Sequence, residues 1–172
     1  MCGCGYITYM TFVIAWMKGR QFTPPEIGLF WGSLGLAVMA SPYLWRASLA
    51  SSLGGRTLGA SCVVLTGATA LLSVDASLPM MLLSACLFGS SMFTGPAAIT
   101  VMVRNGSPRE TWGAGIAGFT IAFGLGQAVG PVVSGWIGDL TGSLTLALLV
   151  SSAILATAAA IAFLQKDVRA PA

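Results

Sequence analysis

Five polar side chains within long apolar runs are the residues best suited to contact a solute: Thr120, Gln127, Ser134, Tyr6 and Tyr9. The first three are spaced seven residues apart, so a helix would present them on one face. The two tyrosines lie about one turn apart in an earlier run. A glutamine inside a membrane is costly unless it is hydrogen-bonded or hydrated. Gln127 is therefore predicted either to join two helices or to contact a solute, and the tyrosines either to belong to an interfacial aromatic belt or to line a cavity.

Groups that could perform catalysis are scarce. The sequence has no histidine, which excludes a Ser/His/Asp triad, and it has no GxxxxGK[ST] loop for a phosphate. The apolar runs contain no paired carboxylates, so we predict that the protein is not an enzyme. Its cysteines are Cys2, Cys4, Cys62 and Cys86. They include a single CxC pair without a second pair at the spacing of a zinc site, so we predict no metal and no cofactor.

The composition is that of a membrane protein. Hydrophobic residues make up 56% of the 172 residues and charged residues only 8%, whereas soluble domains carry about 25% charged residues. Among apolar runs, the 22 glycines and 8 prolines are typical of transmembrane helices. The net charge of +3 is too small and too scattered for a nucleic-acid partner. The partner that the composition does indicate is the lipid bilayer.

Six apolar segments separated by short polar connections are predicted to be transmembrane helices, of which the first is short for a span. They cover residues 3–17, 24–45, 57–74, 78–103, 108–138 and 143–164. The sequence therefore predicts an all-α integral membrane bundle of six transmembrane helices, forming a single domain over residues 1–172.

The fifth predicted span, residues 108–138, is the helix against which we expect other helices to pack. Ser107 and Glu110 stand at the spacing of a helix capping box, and no charge follows between Trp112 and Asp139. Small residues recur at every fourth position and would form a ridge along which another helix can approach closely. The ridge consists of Ala114, Gly118, Ala122, Gly126, Gly130, Ser134 and Gly138, and Pro131 and Gly135 lie beside it. We predict that these glycines and Pro131 pack against other helices.

Two further motifs mark helix boundaries and bends. Thr23 and Glu26 form a second predicted capping box, at the start of the second span. Gly95 and Pro96 lie near the middle of the fourth span, where a proline removes one backbone hydrogen bond and bends a helix. This pair is either a hinge or a static bend.

Basic residues predict the orientation. With alternating spans, one side of the membrane receives Arg46, Arg56, Arg104, Arg109, Lys166 and Arg169, and the other receives only Lys18 and Arg20. Because cytoplasmic loops are enriched in Lys and Arg, we expect both termini in the cytoplasm, in a bacterial inner membrane.

Taken together, six helices, two cytoplasmic termini and the run of Gly126, Gly130, Pro131 and Gly135 in the fifth helix resemble the second half of a major facilitator superfamily (MFS) transporter. The segments GYITYMTFVIAWM, SPYLWR and GQAVGPVVSGWIGDLTGSL are similar to the YbfB/YjiJ-type permease branch. The resemblance covers nearly the whole chain and half of the usual twelve-helix protein. It implies a secondary transporter that moves a small molecule by alternating access, with the site between two six-helix halves.

The resemblance to a half-transporter leaves several interpretations open. The short first segment, whose basic residues follow it instead of preceding it, predicts a truncated first helix and a C-terminal fragment. The missing N-terminal six-helix half would then be the partner, with self-association as another possibility. The alternative from another class is a non-transporting membrane scaffold or partner subunit that uses its small-residue ridge for protein contact. The substrate, the coupling ion and the direction of transport have no signature in the sequence.

Overall fold

The computed structural model describes residues 1–51 and 54–166, which fold into α-helices without a β-strand in those ranges. The helices are α1 (Cys2–Gly19), α2 (Pro24–Ala50), α3 (Arg56–Val74), α4 (Leu78–Ser91), α5 (Thr94–Gly106), α6 (Trp112–Thr141) and α7 (Leu144–Leu164). A 3-10 turn, Arg109–Thr111, leads into α6. The predicted all-α class is confirmed.

Within the described ranges, five segments are long and apolar enough to cross a membrane. They are Pro24–Ala50, Arg56–Val74, Leu78–Gly106, Arg109–Thr141 and Leu144–Leu164. Helix α1 has 18 residues, about 27 Å at 1.5 Å per residue, and is not among the five. The six predicted spans thus correspond to seven helices, because the fourth span is divided into α4 and α5.

Packing does not follow chain order. Helix α1 contacts α6 and α7 extensively, α7 packs on α3, α3 on α4, and α4 on α2, while α1 and α2 make little contact along their backbones. The core surrounds Tyr9, whose ring stacks on Phe88 at a centroid distance of 4.1 Å and lies 6.4 Å from Phe30. All three side chains are completely buried. Helix α1 is therefore the central helix of the bundle.

Pairs of hydroxyl groups join the helices across this core. Tyr9 and Ser84 are hydrogen-bonded at 2.7 Å, and Ser84 donates to the Ala68 carbonyl at 2.6 Å. Thr69 and Ser152 are hydrogen-bonded at 2.6 Å. In a membrane such bonds typically contribute about 0.6 kcal/mol each. Hydroxyl hydrogen bonds thus link α1 to α4, α4 to α3, and α3 to α7.

The two predicted capping boxes differ in outcome. At the start of α2, a Glu26 carboxylate oxygen accepts hydrogen bonds from the Thr23 amide and hydroxyl, both at 2.7 Å, which confirms the capping role. At the start of α6 the prediction is wrong. Ser107 ends α5, and its carbonyl accepts from the Trp112 indole at 2.9 Å. The intervening 3-10 turn tightens the connection, so Glu110 does not occupy the third position of an α-helix.

The fourth predicted span is broken just before Gly95 and Pro96. Helix α4 ends at Ser91 and α5 begins at Thr94. Pro96 has no N–H to donate to the carbonyl four residues earlier, which weakens the turn at this point. In addition, the Trp45 indole of α2 donates to the Ser90 carbonyl at 2.8 Å. A side chain from a neighbouring helix therefore enters the hydrogen-bond ladder at the break, a recognised cause of kinks.

The predicted cytoplasmic arginines lie at one end of the bundle. Arg46 belongs to the last turns of α2, which continues beyond its predicted end, and Arg56 is the first residue of α3. Arg104 and Arg109 lie over the Trp112 ring, with guanidinium carbons 4.9 Å and 5.5 Å from its centroid. Arg169 lies outside the described residues.

Candidate solute-binding face

Helix α6 differs from its neighbours in how little of it is covered. It buries only Gly130, Ser134 and Gly138, none of which has a large side chain. Its large apolar side chains are exposed instead: Phe119, Ile121, Leu125, Val129, Val132, Val133, Trp136 and Leu140. Among the described residues, the buried core cluster around Tyr9 takes its members from other helices. Helix α6 is therefore docked by its small residues and presents the rest of its surface outward.

The C-terminal half of the small-residue ridge packs on α1. A Cβ atom at Gly130 would collide with the Cys4 carbonyl, and one at Gly126 would lie 3.3 Å from the Cys4 nitrogen. On the facing helix, a Cβ at Gly3 would lie 2.7 Å from the Phe123 carbonyl oxygen. Glycine on both sides is what permits this backbone approach. Nearby, Gly135 faces the Phe12 ring, Gly138 faces Leu144 and Pro131 is half-buried.

The N-terminal half of the same ridge is uncovered. A Cβ atom at Gly118 would meet nothing within 4 Å, and the same holds for Gly113 and Gly124 on neighbouring faces. Of the predicted packing glycines on α6, Gly118 is the one at which an added Cβ atom would lie in open space.

Gln127 and Tyr6 meet at the edge of the exposed face. The Gln127 amide nitrogen donates to the Tyr6 hydroxyl at 3.3 Å, and both side chains are half-buried. The Tyr6 ring stacks between Phe88 and Phe123, with centroid distances of 6.1 Å and 5.8 Å. Among the described residues this is the only hydrogen bond of either side chain. The Tyr6 O–H and the Gln127 carbonyl therefore remain as a donor and an acceptor for another molecule.

The other three sequence candidates do not join this pair. Tyr9 is completely buried against Phe88 and Phe30 in this bundle and does not face the exposed surface of α6. Ser134 is also buried, with its hydroxyl 3.2 Å from that of Thr8. Thr120 is exposed and donates to the Ile116 carbonyl of its own helix at 2.8 Å. The three residues spaced seven apart on α6 therefore lie in three different environments. Thr120 is exposed, Gln127 is half-buried and Ser134 is buried.

Sequence reasoning missed two aromatic members of the site. Phe123 lies one turn before Gln127 on α6, and Phe88 comes from α4. The spacing of Phe123 and Gln127 was a usable signal, because residues four apart share a helix face. Phe88 had no such signal, since its position depends on how α4 packs against α1.

The chemistry of this face is neutral. The charged residues of the described helices lie towards the helix ends, as Lys18, Arg46 and Arg104 do. The polar groups at this face are one uncharged donor and one uncharged acceptor beside an aromatic wall.

The fold defines an integral membrane protein of the helical-bundle class, with the hydrogen-bonded pair of Gln127 and Tyr6 at the edge of a mainly apolar face. The chain matches the family model described as "Uncharacterised MFS-type transporter YbfB" over residues 1–163. It therefore belongs to the YbfB-type branch of the MFS transporters, which confirms the resemblance seen in the sequence. Comparisons with curated proteins and with solved structures gave no significant match.

Proposed function

We propose that this chain is one six-helix half of a secondary transporter that moves a small uncharged molecule by alternating access. The observation that carries the proposal is the pair of Gln127 and Tyr6, whose remaining donor and acceptor lie at the edge of the exposed face of α6. In transporters of this architecture the solute site forms near the membrane midplane, where two repeats face each other. Tyr6 and Gln127 would contact the solute, with Phe123 beside them.

The second half would cover α2 and α6. Within the most apolar 18 residues of each span, 17% of the residues are buried in α2 and 6% in the segment that contains α6. The corresponding share is 44% in each of the other three spans. Lipid alone could cover apolar side chains, but the uncovered glycines of α6 also suit close approach by another helix. This contrast supports a second six-helix unit against α2 and α6, either encoded with this chain or supplied by a second copy.

We further propose that the arginine-bearing end of the bundle faces the cytoplasm. That end gathers Arg46, Arg56, Arg104 and Arg109, whereas Lys18 and Arg20 lie near the start of α7 at the other end. The bias towards cytoplasmic Lys and Arg supports this orientation. Both termini would then be cytoplasmic, in a bacterial inner membrane.

The test is uptake by membranes that carry the Gln127→Leu variant. Cells expressing the chain with its second half are first screened by mass spectrometry for uncharged solutes that they accumulate. We expect Gln127→Leu to lower uptake of such a solute at least about tenfold, the effect of losing about 1.4 kcal/mol of binding, at an unchanged amount of folded protein. Thr120→Val is the matched control, because its hydroxyl bonds only to its own helix.

Unchanged uptake together with altered stability would leave Gln127 only the role of joining α6 to α1. If no solute accumulates with any form of the chain, the interpretation as a non-transporting membrane subunit is favoured.

A further inference from the structure

Two cysteine side chains meet across α1 and α3. The sulfur atoms of Cys2 and Cys62 lie 3.3 Å apart, and neither residue is in a disulfide. Cys2 belongs to the first turn of α1 and Cys62 to the second turn of α3. These two helices otherwise make only slight backbone contact. The thiol pair is thus a principal link between the start of the central helix and α3.

The same pair forms part of the wall of a cavity. The cavity has a volume of about 500 Å³ and lies between α1, α3, α5, α6 and α7, with Phe119, Phe123 and Ile161 in its mainly apolar wall. Cavities of this volume accept small organic molecules. Cys2 is half-buried, so an uncharged reagent in this cavity can reach its sulfur, whereas Cys62 is buried behind it.

The other two cysteines are placed differently. Cys4 lies on the side of α1 that packs against Gly130, and Cys86 is exposed on α4. Among the described residues, Cys2 and Cys62 are the two whose thiols are in contact. They differ from a lone buried cysteine, which behaves as a small hydrophobic residue.

We propose that Cys2 and Cys62 form a dithiol site that reacts with small apolar disulfides and closes to a disulfide between α1 and α3. A disulfide has a sulfur–sulfur distance of about 2.05 Å, so closure requires the two sulfur atoms to approach by about 1.3 Å. Rotation of the two cysteine side chains would have to supply this shift.

The reaction is a thiol–disulfide exchange in two steps. One cysteine, as its thiolate, attacks a sulfur of the small disulfide, forms a mixed disulfide and releases one small thiol. The second cysteine then attacks the cysteine sulfur of the mixed disulfide and releases the second small thiol. In total, the two cysteine thiols are oxidised to one disulfide, and the small disulfide is reduced to two thiols that carry the cysteine protons.

Closure would affect the solute-binding face through α1. Tyr6 lies one turn after Cys2 on the same side of the helix, and residues four apart share a face. A covalent link at Cys2 ties this part of α1 to α3. The oxidised chain would therefore hold the position of Tyr6 more rigidly than the reduced chain.

The test uses dipyridyl disulfide, which releases the chromophore thiopyridone at each step. The full chain carrying Cys4→Ser and Cys86→Ser is purified in detergent, so that only the pair remains. We expect two molecules of thiopyridone per chain, no retained pyridylthio group by mass spectrometry, and a peptide in which Cys2 and Cys62 are joined. When Cys62→Ser is combined with these two substitutions, we expect one thiopyridone per chain and one pyridylthio group retained on Cys2.

Three results would overturn the proposal. They are a pyridylthio group retained on both cysteines, a disulfide that joins two chains, and thiols that react only after denaturation. If the Cys62→Ser variant fails to fold, Cys62→Ala serves as the one-cysteine control. Hydrogen exchange provides a separate readout, because a closed disulfide should slow exchange in the first turns of α1, whereas an unlinked oxidised chain should show no change.

Discussion

The two halves of the α6 ridge have the same sequence pattern and opposite environments. Gly130 lies against the backbone of α1, so closely that a methyl group would collide with the Cys4 carbonyl. Gly118, three steps of the same four-residue repeat earlier, has open space around it. A small-residue repeat therefore indicates that close approach is possible along the whole helix, while the position of a second helix decides where it occurs.

This difference assigns separate roles to the two halves of α6. The C-terminal half fixes α6 to the bundle through backbone contacts and the hydrogen bond between Ser134 and Thr8. In the N-terminal half, Gly115 faces Val103 of α5, while the ridge position Gly118 is open. Gln127 lies between the two halves, where a side chain can be held by α1 and still face outward. Equivalent substitutions in the two halves of α6 should therefore have different effects on stability and association.

The largest effect is expected from Gly130→Ala. The new methyl group would meet a backbone carbonyl that cannot move aside without displacing α1, so we expect the free energy of unfolding to fall by about 1–3 kcal/mol. Gly118→Ala is the matched control and should leave stability unchanged or raise it by up to about 1 kcal/mol. Unfolding in bicelles measures both variants. Equal effects at the two positions would show that α1 does not pack on Gly130.

A bulkier change at the exposed half should affect association and leave the fold intact. We expect Gly118→Leu to weaken pairing with the second six-helix unit at least about tenfold, equivalent to about 1.4 kcal/mol, with thermal stability of the single bundle unchanged. Gly67→Leu on α3 is the control, because a Cβ there also has no neighbour within 4 Å. Short-range cross-linking in membranes reports the pairing. Equal cross-linking of the two variants would contradict a protein contact at the exposed half.

The smallest effect is expected from removing one hydroxyl. Ser134→Ala breaks the bond to Thr8, but the Thr8 hydroxyl keeps its bond to the Cys4 carbonyl at 2.9 Å, so no buried donor is left unpaired. We expect a loss of about 0.6 kcal/mol. Thr120→Ala should have no measurable effect, since that hydroxyl is exposed and bonds within its own helix. A larger loss at Thr120 would indicate that the exposed half is covered.

The class of fold could be predicted from the sequence because composition and apolar length determine it. The capping role of Glu26 and a break near Pro96 could also be predicted, since both depend on neighbouring residues along the chain. The entry of Trp45 at the break could not, because Trp45 lies on a different helix. For the same reason, the order in which the helices pack, with α1 at the centre, has no local signal.

The candidate site was partly predictable. The unusual polarity of Gln127 in an apolar run identified it, but its partner could have been any hydroxyl on a neighbouring helix. The structure brings Tyr6 to Gln127 and buries Tyr9 among Phe88 and Phe30. Two tyrosines three residues apart therefore have different roles, which depend on small differences in their angular position around α1.

The most direct test of the central claim is the water accessibility of position 127 in native membranes. In a chain without its native cysteines, Gln127→Cys should react rapidly with a membrane-impermeant, water-soluble maleimide, because the proposed solute path is hydrated. Val63→Cys is the control, because Val63 is 52% exposed on α3, away from Gln127 and Tyr6. We expect labelling at position 127 and none at position 63. An unlabelled position 127 would contradict a solute path along α6.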